Sequence, residues 1–183
     1  MAEFSLAINF NLKHEGGFAE TPAGEIVNRG INTGTLQALG YPGTKAELAE
    51  IVKNLTVEET EDIYRRFYWT FKRPSIPDAL NQVEVQAVAA KILDMCVLSG
   101  QRTATKIVQR SVKLPEDGYF GMGTLEHVNE AGDALVTLLV TTWSAALTEI
   151  ADLYISKAVT PELVKYWTKV KIGWLTRAAW KGV

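Results

Sequence analysis

The run "VEVQAVAAKILDMCVLSG", residues 83–100, constrains the fold of this chain more than any other segment. It reads as a helix over 83–98 with apolar residues around almost its whole circumference, and a helix without a broad polar face has to be covered on most sides. The chain must therefore supply several further helices to pack around it. Asp94 is the exception on this helix. A buried carboxylate without partners costs several kcal/mol, so Asp94 is expected either to be tethered by hydrogen bonds or to serve a ligand. Cys96, the single cysteine, lies in the same run, where it reads as a small buried thiol or, less simply, as a nucleophile. It has no intrachain disulfide partner.

The remaining periodicities are helical as well. Residues 3–14 place Phe4, Ala7, Ile8, Asn11 and Leu12 on one face, and Gly16 and Gly17 stop the helix. The segment "FAETPAGEIVNRGINTGTLQALGYPG" holds five glycines and two prolines in 26 residues, so it cannot be one helix. Its alternating piece, 26–31, predicts a two-stranded hairpin, and "INTGTLQALG" predicts a return to a short helix. Thr44 with Glu47 and Thr56 with Glu59 have capping-box spacing, opening helices of about 9 and 14 residues. The second ends in "IYRRFYWTFKRP", whose aromatics Tyr64, Phe67, Tyr68, Trp69 and Phe71 exceed one stripe and suit either a core or a ligand platform.

Beyond the central helix, a helix is expected near 102–112. "LPEDGYFGMGTL" follows as a turn with Thr124 opening a short helix, since neither a strand nor a Lys-Ser or Lys-Thr pair supports a phosphate loop. Asp133 is placed to cap a long helix over 134–157, with Leu135, Leu138, Leu139, Thr142 and Ala146 facing inward. Thr160 and Pro161 begin the last helix, which carries Trp174, Arg177 and Trp180. The five tryptophans suit a carbohydrate surface or a core. These readings give an all-α fold with a minor β-hairpin.

Several function classes fall away. Nineteen basic against twenty-one acidic residues give a formal charge of −2, so no overall field favours nucleic acid. The apolar stretch "ALVTLLVTTWSAAL" is short and Thr-rich for a span, so no stable membrane insertion is expected. Met1 is followed by neither a basic leader nor a cleavage site, which leaves cytoplasmic synthesis with action in the periplasm or at the cell wall after non-classical or phage-type export, through a holin or a phage-like particle. His14 and His127 are the only histidines and there is no HExxH, so neither a metal nor another cofactor is expected. Nucleophile motifs are absent too.

Paired carboxylates remain. Glu15, in "KHEGGF", occupies the end of the first helix, where the dipole disfavours it. Glu20 and Glu25 belong to the glycine-rich insert that folds back. A glycosidase needs a protonated acid and a second group that activates water or stabilises the oxocarbenium-like centre. Gly16 and Gly17 would let a polymer approach. The plainer reading is a glycine cap after a solvent-facing glutamate.

The ordered fragments "FNLKHEGGF", "NRGIN", "LTVEETEDIYRRFYW", "ILDMCVLSG", "DGYFGMGTL" and "GWLTR" resemble those of the glycoside hydrolase 108 family, N-acetylmuramidases once labelled secretion activator proteins. That resemblance, running over nearly the whole chain, implies a lysozyme-like helical fold with a hydrolase region, 1–98, and a helical peptidoglycan-binding region, 99–183, packed against it as one unit. It implies cleavage of the β-1,4 bond between N-acetylmuramic acid and N-acetylglucosamine in peptidoglycan glycan strands, with Glu15, on the Glu-Gly-Gly motif, as general acid. Desolvation by neighbouring aromatics in a groove would raise its pKa. Glu25 is the preferred second catalytic carboxylate, lying beyond the Thr-Pro-Ala turn. Glu20, Asn28, Tyr64, Tyr68, Trp69 and Asp94 are the expected substrate contacts.

The chain departs from the family pattern where chemistry is expected. Glu25 stands at a family glycine, Val27 and Asn32 at threonines, and Leu98 at an asparagine, while an aspartate is missing. Lost polar groups in a cleft remove transition-state interactions worth several kcal/mol each. The alternative is therefore a peptidoglycan-binding or phage-structural protein that keeps the scaffold without turnover.

Overall fold

Both capping boxes form. Thr44 and Thr56 each accept a hydrogen bond from the backbone N–H of the residue three positions on, and donate their own backbone N–H to the carboxylates of Glu47 and Glu59. They open α3 (Lys45–Asn54) and α4 (Val57–Tyr64), after α1 (Phe4–His14) and α2 (Thr33–Ala38). The computed structural model describes residues 1–20, 24–72 and 74–181, without the side chains of Phe10, Lys13 and His14. The later helices are α5 (Gln86–Ser99), α6 (Gln101–Ser111), α7 (Met122–Ala131), α8 (Ala134–Lys157) and α9 (Pro161–Ala178).

Helix α5 is the centre. From Val88 to Cys96 every side chain is buried, and α1, α6 and α8 pack against it. Burial pushes the Cys96 thiol up in pKa, so it stays protonated. Cys96 is expected to resist a thiol reagent at neutral pH until the chain unfolds; stoichiometric labelling of the folded protein would contradict the packing.

The aromatic segment does not continue as one α-helix. After α4, residues Arg65–Trp69 widen into a π-helical turn, closed by Thr70 N donating to Arg65 O at 2.9 Å. The wider turn brings both Tyr68 and Trp69 inward. Trp69 is fully buried, its Nε1 donating to Asn81 Oδ1 at 2.6 Å, and its ring meets Phe4 edge-on at 5.5 Å.

The β element is larger than a two-stranded hairpin. Strands β1 (Phe18–Glu20), β2 (Ile26–Asn28) and β3 (Ile31–Asn32) form an antiparallel sheet in that order. Arg29 and Gly30 join β2 to β3 with φ of 48° and 76°, the two positive values of a type I′ turn. Arg29 tolerates its conformation because Nη1 donates to Leu55 O at 2.9 Å and Asn28 Oδ1 at 3.2 Å.

Smaller differences have local causes. Helix α7 begins before Thr124, whose buried hydroxyl accepts instead from Gln109 Nε2 at 3.2 Å. Asp133 makes no side-chain cap bond. Leu138 is exposed although Leu135 and Leu139 are buried. Helix α8, at 24 residues, is long and apolar enough to cross a membrane by length and composition, yet one side packs on α5 and α6 and another on α9. Tyr154 stacks on Trp167 at 4.2 Å, and Lys171 pairs with Asp152.

Candidate functional site

Glu15 caps the C-terminus of α1, its N–H donating to Asn11 O at 3.0 Å. A carboxylate there faces the negative end of the helix dipole. Arg177, in the last turn of α9, offsets this by donating from Nη1 to Glu15 Oε1. Its Nε donates to Asp94 Oδ1 at 2.6 Å and its Nη2 to Asn11 Oδ1 at 2.9 Å. Three acceptors thus share one rigid guanidinium, a geometry that a lysine ammonium cannot reproduce.

A second cation stands behind the first. Asp94 is fully buried, and its Oδ2 lies 3.5 Å from the Nζ of Lys91, which is also fully buried. Lys91 donates to Ala178 O at 2.8 Å and lies over the rings of Trp143 and Trp180, 4.5 and 5.7 Å from their centroids. Burial pushes the Asp94 carboxyl up, with Arg177 and Lys91 pulling it back. Burial pushes Lys91 down to about 8. Two carboxylates and two cations therefore run from the core to Glu15, whose side chain keeps 19% exposure.

The sheet closes the other side of Glu15. At Gly30 a Cβ would come within 2.7 Å of both Glu15 Oε2 and the Tyr64 hydroxyl, so only glycine fits. Tyr64 donates to Arg29 O at 3.0 Å, and Tyr64 and Tyr68 lie ring to ring at 5.2 Å. Burial, reinforced by the charge of Glu15, pushes the Tyr64 hydroxyl well above the phenol range and Tyr68 up to about 12. Both remain neutral donors. Beyond Glu15 the backbone is open among the described residues: a Cβ on Gly16 or Gly17 would meet none of them within 4 Å, and Phe18 is 54% exposed.

This arrangement separates the residues expected from sequence. Glu15, Tyr64, Tyr68 and Asp94 come together, with Asp94 behind Arg177 as a tether. The environment of Glu15 differs from an apolar pocket because an ion pair engages one carboxylate oxygen. Asn28 is buried as a tether, its Nδ2 donating to Val52 O at 3.0 Å and Lys53 O at 3.3 Å. Trp69, enclosed in the core, offers no surface to a ligand. Glu20 pairs in register with Ile26, and Glu25 directly precedes Ile26, so both stand at the end of the β1–β2 ribbon away from the Arg29–Gly30 turn. From Phe18 to Glu20 that is two strand steps, about 7 Å. Glu20 is exposed and Glu25 partly so. The Thr-Pro-Ala turn, 21–23, lies outside the described residues.

Sequence reasoning missed Asn11, Lys91 and Arg177 as members of this site. Lys91 had a usable signal, since it stands three residues before Asp94 on an otherwise uncharged stretch, the spacing of a helical ion pair. Arg177 had none beyond its place in "GWLTR".

Residues 8–100 match the family described as Glycosyl hydrolase 108. Over 96% of this chain and 92% of the other, the protein is similar to the solved structure of Brucella abortus SagA, at 28% sequence identity and a TM-score of 0.65. No match to a curated protein was found. With Glu15, its Gly-Gly step and α5 all inside the matched segment, the chain belongs to the glycosyl hydrolase 108 family.

Proposed function

We propose that this protein binds peptidoglycan glycan strands on a lysozyme-like scaffold, at the open Gly16–Phe18 backbone beside Glu15, and turns them over weakly or not at all. The observation that carries this reading is the engagement of Glu15 by Arg177. A carboxylate in an ion pair is an acceptor of hydrogen bonds, whereas a general acid must deliver a proton to the leaving oxygen. The apolar Leu98 and Val27 point the same way. Exposed Phe18 offers a ring on which a sugar can stack. Action at the cell wall, reached through a holin or a phage-like particle, belongs to the same proposal.

The second reading is N-acetylmuramidase activity with Glu15 as general acid and Glu25 as its partner. It is favoured by the partial exposure of Glu15 next to unobstructed glycine backbone, which allows close approach of a polymer.

The test is retention on purified sacculi, followed together with new reducing ends from mildly acidic to neutral pH. Wild type is expected to be retained with few or no new ends, and Glu15→Gln to reduce retention by about tenfold, the loss of one charge-assisted hydrogen bond. New ends carrying muramic acid, abolished by Glu15→Gln, would replace the binding reading with the muramidase. No retention and no turnover would remove both.

A further inference from the structure

The segment that matches the family ends at residue 100, yet the group that fixes Glu15 comes from the last turn of α9. We infer that Arg177 is a positioning residue of the glycan site, which holds Glu15 as a fixed anionic acceptor for the hydroxyl or N-acetyl N–H donors of a sugar, and that the site is incomplete without the C-terminal helix. The inference rests on the glycan-binding reading above and adds a residue to it.

The geometry carries this in three steps. Arg177 divides its guanidinium between two helices: Nη1 and Nη2 serve Glu15 and Asn11 at the end of α1, and Nε serves Asp94 on α5. Its own helix is in turn pinned at the neighbouring carbonyl, where Lys91 Nζ donates to Ala178 O at 2.8 Å. Glu15 is then held at Oε1 by Arg177, while Oε2 lies close against the Gly30 backbone, where a Cβ would stand only 2.7 Å from it. An ionised carboxylate has about four acceptor sites, so the pair leaves acceptor capacity on the 19% of the side chain that solvent reaches. Pre-orienting that acceptor removes the rotamer freedom a ligand would otherwise have to freeze.

Asn11 supports the same assignment. Its Oδ1 accepts from Arg177, which sets the orientation of the amide, and its buried Nδ2 has no hydrogen-bond partner among the described residues. An amide held in this way at the expense of its own donor makes sense if placing the guanidinium is its task.

The experiment compares wild type, Arg177→Ala and Arg177→Lys, full length, for sacculus retention and for folding by circular dichroism. Arg177→Ala is expected to lose about tenfold in retention, and Arg177→Lys nearly as much, because an ammonium cannot serve three divergent acceptors. Guanidinium chloride, at tens of millimolar, is expected to restore most of the loss in Arg177→Ala without raising its unfolding midpoint, whereas a merely structural role would return retention only together with stability. Where Arg177→Ala fails to fold, Arg177→Gln, which leaves the Asp94–Lys91 pair in place and keeps an amide donor near Asp94, is read for retention instead. Undiminished retention in a folded variant, or loss without rescue, overturns the inference. Should wild type itself not be retained, the binding reading fails separately. A double-mutant cycle of Glu15→Gln and Arg177→Ala on unfolding free energy then decides the pair, and coupling within error would sink it.

Discussion

Asp94→Ala is expected to destabilise the protein by about 3–5 kcal/mol, the usual cost of removing one partner from a buried ion pair. The carboxylate has no solvent exposure, and both its oxygens face cations, Arg177 Nε at 2.6 Å and Lys91 Nζ at 3.5 Å. Alanine would leave Lys91 fully buried with a carbonyl and two indole faces as its remaining company, and would free Arg177 from α5. Urea unfolding that shows a lower midpoint at unchanged slope would report this directly, and a loss below about 1 kcal/mol would mean that water or a rearranged Lys91 replaces the carboxylate. The same network predicts a pH dependence. The folded-state pKa of Lys91 is about 8, below its ordinary 10.5, so between those values the unfolded chain binds a proton that the folded chain does not. The Lys91 contribution to stability therefore rises with pH across that window and is smallest below it. Lys91→Met should flatten the rise.

Gly30→Val is expected to cost about 2–4 kcal/mol and to abolish sacculus retention, because it combines backbone strain with overpacking. A β-branched residue is poorly tolerated at a φ of 76°, and its Cβ would overlap Glu15 Oε2 and the Tyr64 hydroxyl, each 2.7 Å away. Neither obstacle is the free end of a flexible chain: Glu15 is held by Arg177, and Tyr64 is buried and bonded to Arg29 O. The strain therefore has to open the Arg29–Gly30 turn or push Glu15 off Arg177. Thermal unfolding measures the first effect and the retention assay the second. A variant equal to wild type in both would show that the turn yields without disturbing Glu15.

What the sequence determined by itself is the set of features whose cause lies within a few residues. The capping boxes at Thr44 and Thr56, the Thr160–Pro161 start of α9, the burial of α5 on most sides and the return to helix at Thr33 are all dictated by spacings of one to four positions, which is the range over which backbone hydrogen bonds and helix faces operate. The periodicity of residues 3–14 and the Gly16–Gly17 stop placed Glu15 at the end of α1 for the same reason. Tertiary structure alone decided what Glu15 touches. Its partner Arg177 is 162 positions away in sequence, and Asp94 is 83 positions from that arginine; no local pattern encodes such a meeting, since it depends on how α9 returns along α8 to the core. Asn28 and Trp69 make the complementary point. A polar side chain in a turn and an indole in an aromatic run look alike in sequence whether they face a ligand or the interior, and only the packing of β2 on α3 and the widened π turn consigned both to the core.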